Sequence, residues 1–415
     1  MSTRHESTLR VGLCTALAVL AHSGCAEPLS EPASTPATAA TVRSDAARVG
    51  DATASVRWSA ITRDFVAAKP AATKPNPVAV FRAFAYLGLA QYRAVVATDD
   101  ERGRPPHASA QGAVAGASVA VLSALFPADA SFFEAQLQLE ENDAAGSDNP
   151  ATSFAAGEKV GRAVGADVAA FAQGDHFDIA WTGTVPTGED KWSSDFVPPR
   201  APQLPALGRM RPFFMESGDQ FRPPPPPAFG SPEFITALAE VRRFSDTRTP
   251  EQLAIAERWA LTTGSLTGGF WNEEVTKRIA RHALSERRAA LALALVHMAT
   301  MDATIACYDA KYTYWLIRPY RVDPAITTPV GRPNHPSYPS SHGCSSSAAA
   351  YVLGALFPSD ATELAAMADE AGESRLYAGI HYRFDKDAAL RIGRQVADLA
   401  LARGVDDAPG WPGNR

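Results

Sequence analysis

SERRAALALALVHMATMDATIACYDAKYTYWLI, residues 285–317, decides the fold. Leu291, Leu295, Met298, Met301 and Ile305 recur at spacings of three and four, the period of one face of an α-helix. The segment reads as one long core helix, stopped or kinked by Pro319. Further helical patterns lie on both sides of it, over residues 56–68, from the Asn76–Pro77 pair through NPVAVFRAFAYLGLAQYRAVVA, and over 111–125, 151–172, 231–244, 249–262, 343–357, 360–378 and 385–403. Asn76–Pro77 and Ser231–Pro232 have the chemistry of an N-cap followed by a first-turn proline. No strand alternation persists and no repeat period is found, so the expected class is all-α. Residues 173–230 break the pattern, because their prolines forbid long helices. The run Pro223–Pro227 must be extended and is expected to lie along the surface of the folded domain.

Composition narrows the function. The chain has 415 residues, 46 % apolar and 20 % charged, which suits a sizeable buried core and neither a multi-span membrane protein nor a disordered chain. Its 39 lysines and arginines against 45 acidic residues give a net charge of −6, so nucleic acid has no electrostatic reason to bind. Four cysteines are too few for a disulfide-built scaffold.

The N-terminus reads as an address. Arg4, His5 and Arg10 precede the apolar run VGLCTALAVLA and then Ser23, Gly24, Cys25 and Ala26, the order of a secretory signal over residues 1–26. Either Cys25 is lipidated or the chain is cut after Ala26, and in both cases the protein is exported. A membrane is then met only through that N-terminal lipid anchor. Residues 27–52, rich in Ala, Ser, Thr and Pro, read as a tether, 53–403 as the helical domain and 404–415 as a tail.

The chemistry gathers in the last quarter. Lys311 and Arg318 are seven apart, close to two helical turns, which would put both cations on one helix face inside a mostly apolar segment. Such cations need a negative partner. HPSYPSSHG, residues 335–343, brings His335, Ser340, Ser341 and His342 to the start of a small-residue helix near Gly343, where free N–H groups favour an anion. SRLYAGIHYRFD, residues 374–385, adds Arg375, then His381, with Asp385 four residues on to orient its imidazole. Together they describe a pocket for a tetrahedral or trigonal-bipyramidal oxyanion, phosphate or vanadate.

These residues resemble the signature of the superfamily joining type 2 phosphatidic acid phosphatases, bacterial class A acid phosphatases and vanadium-dependent haloperoxidases. That signature runs lysine, six residues, Arg-Pro; then Pro-Ser-Gly-His; then Ser-Arg, five residues, histidine, three residues and aspartate. The chain has Lys311 and Arg318–Pro319, Pro339–Ser340–Ser341–His342, and Ser374–Arg375, His381 and Asp385. It departs only at Ser341, where glycine is usual. The resemblance to the soluble haloperoxidase branch extends over about residues 56–400, through VRWSAITRDF, PPPPPA and FWNEEVTKRIA. It implies helical bundles around the oxyanion pocket.

The resemblance also implies roles. Vanadate would have His381 as its protein ligand, with Lys311, Arg318, Arg375, Ser340 and the Ser341 N–H around its oxygens. His342 would be the acid–base group, and Asp385 would hold His381. His335, seven before His342, stands where bromoperoxidases carry a histidine, and Tyr308 where the fungal chloroperoxidase has tryptophan, which favours bromide or iodide. The partners implied are hydrogen peroxide, halide and an organic acceptor. The same residues equally suit a cofactor-free phosphatase acting on a phosphate monoester through a phosphohistidine, and a non-enzymatic oxyanion-binding protein of the envelope stays as a third reading. Cys307 and Cys344 would meet at the site, as a disulfide or as two buried thiols.

Overall fold

Helix starts follow the local chemistry of the chain. The elements, in a computed structural model that describes residues 54–100, 107–145, 151–261 and 264–406, are α1 (Ala54–Ala68), α2 (Pro77–Asp100), α3 (Ala110–Leu125), α4 (Ala130–Ala145) and α5 (Ala151–Gln173). They continue with α6 (Pro232–Thr247), α7 (Pro250–Arg258), α8 (Leu266–Arg281), α9 (Glu286–Tyr314) and the single turn α10 (Pro319–Val322). The last three are α11 (Ser341–Leu356), α12 (Ala361–Tyr377) and α13 (Arg383–Arg403). Asn76 Oδ1 accepts the Ala79 N–H at 2.9 Å, and the Ser231 hydroxyl accepts the Phe234 N–H, as the sequence predicts. The predicted signal and tether, and residues 407–415 of the tail, lie outside the described residues.

The described residues are all-α, with one isolated antiparallel bridge between Lys191 and Leu316. They pack as one compact unit rather than two lobes. α9 is long and apolar enough to cross a membrane, but 94 % of that stretch is buried in the protein, so it is a core helix.

Two corrections concern α9 and its surroundings. The helix ends at Tyr314, not 317, because Trp315 takes a left-handed conformation (φ 55°) and returns its N–H to the Lys311 carbonyl. Lys311 and Arg318 therefore do not share a helix face. α7 also stops at Arg258, short of the expected 262. The sequence reading passes over α4 and α8. In α8, Trp271, Val275 and Ile279 are buried at a spacing of four, a signal masked by the adjacent Gly268–Gly269 and the charged residues between them.

A third correction is that the chain does repeat. α2–α5 form one bundle, and α9 with α11–α13 form another in the same order, with α2 packed along α9. The match is closest in ALFPADA (124–130) and ALFPSDA (355–361). In each, a phenylalanine ends the helix with φ −130°, donates its N–H to a leucine carbonyl at 2.8 Å and leads through a 3₁₀ turn into the next helix. A single non-tandem copy gives no period in sequence, which is why it is not found there.

Glycines set the closest helix contact. α3 and α5 meet through Gly112 and Gly116 on one side and Gly157, Gly161 and Gly165 on the other, backbone against backbone. A Cβ on Gly161 would stand 1.9 Å from the Ala113 carbonyl oxygen. Gly→Ala at a free helical position stabilises by about 1 kcal/mol. Here the sign should reverse. Gly161→Ala is expected to destabilise by about 1–3 kcal/mol, measured as a lower urea midpoint at unchanged m-value.

Candidate functional site

The pocket is built where the second bundle's helix ends converge. α9 delivers Lys311 in its last turn and then breaks at Trp315. The chain beyond runs extended, held on one side by Trp192 N–H to Trp315 carbonyl (2.7 Å) and Ile317 N–H to Asp190 carbonyl (2.9 Å). Ser337 N–H donates to the Leu316 carbonyl at 2.9 Å from the other strand of the pocket wall. Arg318 then caps α10. The stretch 335–340 leads into α11, whose N-cap is Ser340, so the helix starts at Ser341 rather than near Gly343. α12 ends just past Arg375, and Gly379 turns the chain back toward His381. Its φ of +73° and the Thr327 carbonyl, 2.6 Å from where a Cβ would sit, leave room for glycine alone.

Three cations are buried here without an acidic partner. Lys311 and Arg318 are fully buried and Arg375 nearly so. Among the described residues, none of the three forms an ion pair with a carboxylate. Lys311 Nζ donates to the carbonyls of Pro336 (3.0 Å), Ser337 (2.8 Å) and Pro339. Arg318 donates to the carbonyls of His335, Pro336 and Ile380, and contacts His381 Nε2 and His335 Nδ1, both at 3.1 Å. Arg375 donates to the Ala256 carbonyl at 2.7 Å and to the Ser374 hydroxyl. Carbonyl dipoles solvate these charges but do not neutralise them, so the pocket is poised for an anion. Burial pushes the Lys311 ammonium down to about 8 and the Arg375 guanidinium to about 9.

The histidines lie close enough to these cations to feel their charge. His381 Nδ1 lies 2.8 Å from Asp385 Oδ2, which also accepts the Tyr382 N–H at 3.2 Å. His381 precedes α13 rather than lying in it, and Asp385 reaches back from the helix's third position, as a capping carboxylate does. With Nδ1–H donating to the carboxylate, Nε2 is the lone pair that Arg318 meets. Burial raises the Asp385 carboxyl to about 6, against the pull of Ser337, Lys311, the Tyr382 N–H and Arg318. Burial, then Arg375, lowers His342 to about 3, with Lys311 and Arg318 acting the same way and a hydrogen bond to the Trp259 backbone opposing. His335 is buried, lies against Arg318 and packs on Tyr308 with ring centroids 5.6 Å apart.

All nine sequence-predicted residues thus belong to one neighbourhood, although Lys311 and Arg318 spend their donors on backbone carbonyls. Buried polar atoms left without a partner include Ser340 Oγ, Ser341 Oγ, His342 Nε2 and Asp385 Oδ1. The two serine hydroxyls, with the buried cations, are donors that fit an oxyanion, whereas His342 Nε2 and Asp385 Oδ1 are acceptors. Among the described residues, no group of three or more His, Cys, Asp or Glu is arranged to hold a bare metal cation. The sequence reading misses Ser337, whose hydroxyl donates to Asp385 Oδ2 at 2.5 Å. Its only sequence signal is its place between two prolines' worth of pinned backbone. Cys307 and Cys344 are free, fully buried thiols beside each other, and Cys307 Sγ lies 3.8 Å from the Pro339 carbonyl.

Outside the pocket, the proline run behaves as expected. The hydroxyls of Tyr314 and Tyr338 donate to the Pro223 and Pro224 carbonyls at 2.6 and 2.8 Å, strapping it along the protein.

Comparison with known proteins agrees with this fold. Residues 361–406 match the family model described as the VCPO second helical-bundle domain. The fold is similar to that of a bacterial vanadium-dependent iodoperoxidase, with a TM-score of 0.71, 22 % identity, and 83 % of this chain and 95 % of that chain covered. It is also similar to a bacterial vanadium-dependent chloroperoxidase in its apo form (TM-score 0.64, 14 % identity, 81 % and 96 % covered). The holo form gives a TM-score of 0.63 at 14 % identity, with 86 % and 95 % covered. No curated protein matches the chain. At these identities the likeness establishes the helical-bundle architecture.

Two outcomes follow from the pocket. Cys307 and Cys344 should resist alkylation in the native protein and both react on denaturation without reductant, and a linked peptide in mass spectrometry would contradict this. Anion binding favours charged Lys311, so it takes up a proton where that ammonium titrates. Affinity for sulfate, whose charge is constant there, should fall as pH rises through about 8, by up to about tenfold per unit. Calorimetry should show this dependence in the native protein and lose it in Lys311→Met.

Proposed function

We propose that this chain is an exported vanadium-dependent haloperoxidase that uses hydrogen peroxide to oxidise bromide or iodide, which then halogenates an organic acceptor. The observation that carries the reading is the group of buried cations Lys311, Arg318 and Arg375, without carboxylate partners, with Arg318 on the lone pair of His381 and Arg375 acting on His342. Support for the haloperoxidase branch comes from His335 against Arg318 and from the architecture shared with the bacterial iodoperoxidase and chloroperoxidase.

His381 Nε2 would hold vanadate, with Arg318, Arg375, Lys311, the Ser340 hydroxyl and the Ser341 N–H around its oxygens. Bound there, vanadate supplies Lewis-acid activation of peroxide without changing oxidation state. Asp385 keeps the proton on His381 Nδ1 and so aims Nε2 at the pocket. His342 Nε2 is unprotonated and unpartnered, and it accepts the proton of entering hydrogen peroxide. A bound anion raises the basicity of that nitrogen by offsetting the cations that depress it. Ser341 keeps the N–H that a glycine would offer while narrowing the pocket by one hydroxymethyl group.

Phosphate monoester hydrolysis would use the same groups, with His381 as nucleophile and His342 as acid and base. Paired assays separate the readings. Protein loaded with orthovanadate should brominate or iodinate a dye in a peroxide-dependent reaction, and aryl phosphate turnover without any vanadate-dependent halogenation would replace this proposal with the phosphatase. Oxyanion binding with neither activity would leave the binding protein. His342→Ala should lose about 10²–10⁴-fold in halogenation rate while holding vanadate within a few-fold of the native affinity.

A further inference from the structure

Ser337 makes three hydrogen bonds to three separate parts of the pocket. Its N–H donates to the Leu316 carbonyl, two residues before Arg318, at 2.9 Å. Its carbonyl accepts from Lys311 Nζ at 2.8 Å, and its hydroxyl donates to Asp385 Oδ2 at 2.5 Å. The residue is fully buried, so water competes for none of these bonds.

The oxygen it meets is the one that matters. Asp385 Oδ2 accepts from Ser337, from the His381 ring and from the Tyr382 N–H, while Oδ1 has no partner. A carboxylate can turn about its Cβ–Cγ bond and exchange its oxygens. Three donors converging on one oxygen, one of them a short charge-assisted O–H bond, remove that freedom. The Asp385 backbone carbonyl also accepts the Ser340 N–H at 3.1 Å, so the loop is joined to this residue twice, once at the carboxylate and once at the backbone.

We infer that Ser337 is a positioning residue: its hydroxyl fixes the Asp385 carboxylate and, through it, the Nδ1–H tautomer and ring plane of His381. The inference rests on the oxyanion-pocket reading and deepens it. It makes the loop that supplies Ser340, Ser341 and His342 and the imidazole beneath them one mechanical unit. Groups that orient a ligand histidine from one shell out carry about 10–100-fold in affinity when removed.

The test measures orthovanadate affinity by calorimetry, without peroxide or halide, and the His381 Nδ1–H resonance by NMR. Ser337→Ala should weaken binding about 10–100-fold and broaden or lose that resonance. Ser337→Cys keeps the volume but not the strong donor, and should act the same way if the smaller residue does not fold. In an Asp385→Asn background, removal of the Ser337 hydroxyl should cost far less, because its acceptor charge is gone. Equal losses in both backgrounds would mean that Ser337 only shapes the loop and would overturn the inference. So would native-like affinity and an unchanged resonance in Ser337→Ala. If the native protein bound neither orthovanadate nor phosphate, the pocket reading itself would fall, an outcome distinct from the other two.

Discussion

The structure turns on positive charge held out of water without a carboxylate to meet it. Lys311 and Arg318 are solvated by backbone carbonyls of residues 335–339 and by Ile380 instead. That choice shapes the loop, because prolines at 336 and 339 have no N–H, so their carbonyls are free to turn toward the cations. It also sets the electrostatics of the pocket. The buried carboxylate beside them, Asp385, is committed to His381, Ser337 and the Tyr382 N–H. The positive field is therefore unspent, and it adds to the burial that keeps His342 and His335 neutral.

The duplicated bundle explains where this site can be. α11 and α3 are helices of equal length that end on the same Phe–Pro turn and pack against their partners α13 and α5 through glycine. α3 starts from Ser109 with Ala110 and Gln111, where α11 starts from Ser340 with Ser341 and His342. The first bundle keeps the architecture but has alanine and glutamine where α11 has Ser341 and His342. Its contribution is the wall that α2 gives to α9, closed at Gly88, where a Cβ would stand 2.9 Å from the Ala294 backbone.

Much of this is legible in the sequence, for identifiable reasons. The helical class follows from apolar spacing, and the site residues follow from fixed intervals that survive any local change of path. The path itself does not. Trp315 breaks α9 in a left-handed turn that no glycine announces, so the interval from Lys311 to Arg318 is right while the helix face inferred from it is wrong. His381 and Asp385 are four apart, yet they meet through the capping geometry of α13 rather than along a helical turn. Ser337 is invisible for a similar reason: its importance lies in what the fold brings to it across 48 residues. The repeated turn was present as letters but occurs only twice, so no period exposes it.

Chemical durability depends on where the sulfur atoms lie. Under the proposed chemistry, electrophilic halogen would attack any thiol or thioether exposed along its exit. Cys307 and Cys344 sit within the wall of this pocket, and Met298 and Met301 lie on the preceding turns of α9, yet all four have no accessible surface. The thiols and thioethers along this wall are thus sealed from solvent, out of reach of an oxidant in the surrounding water.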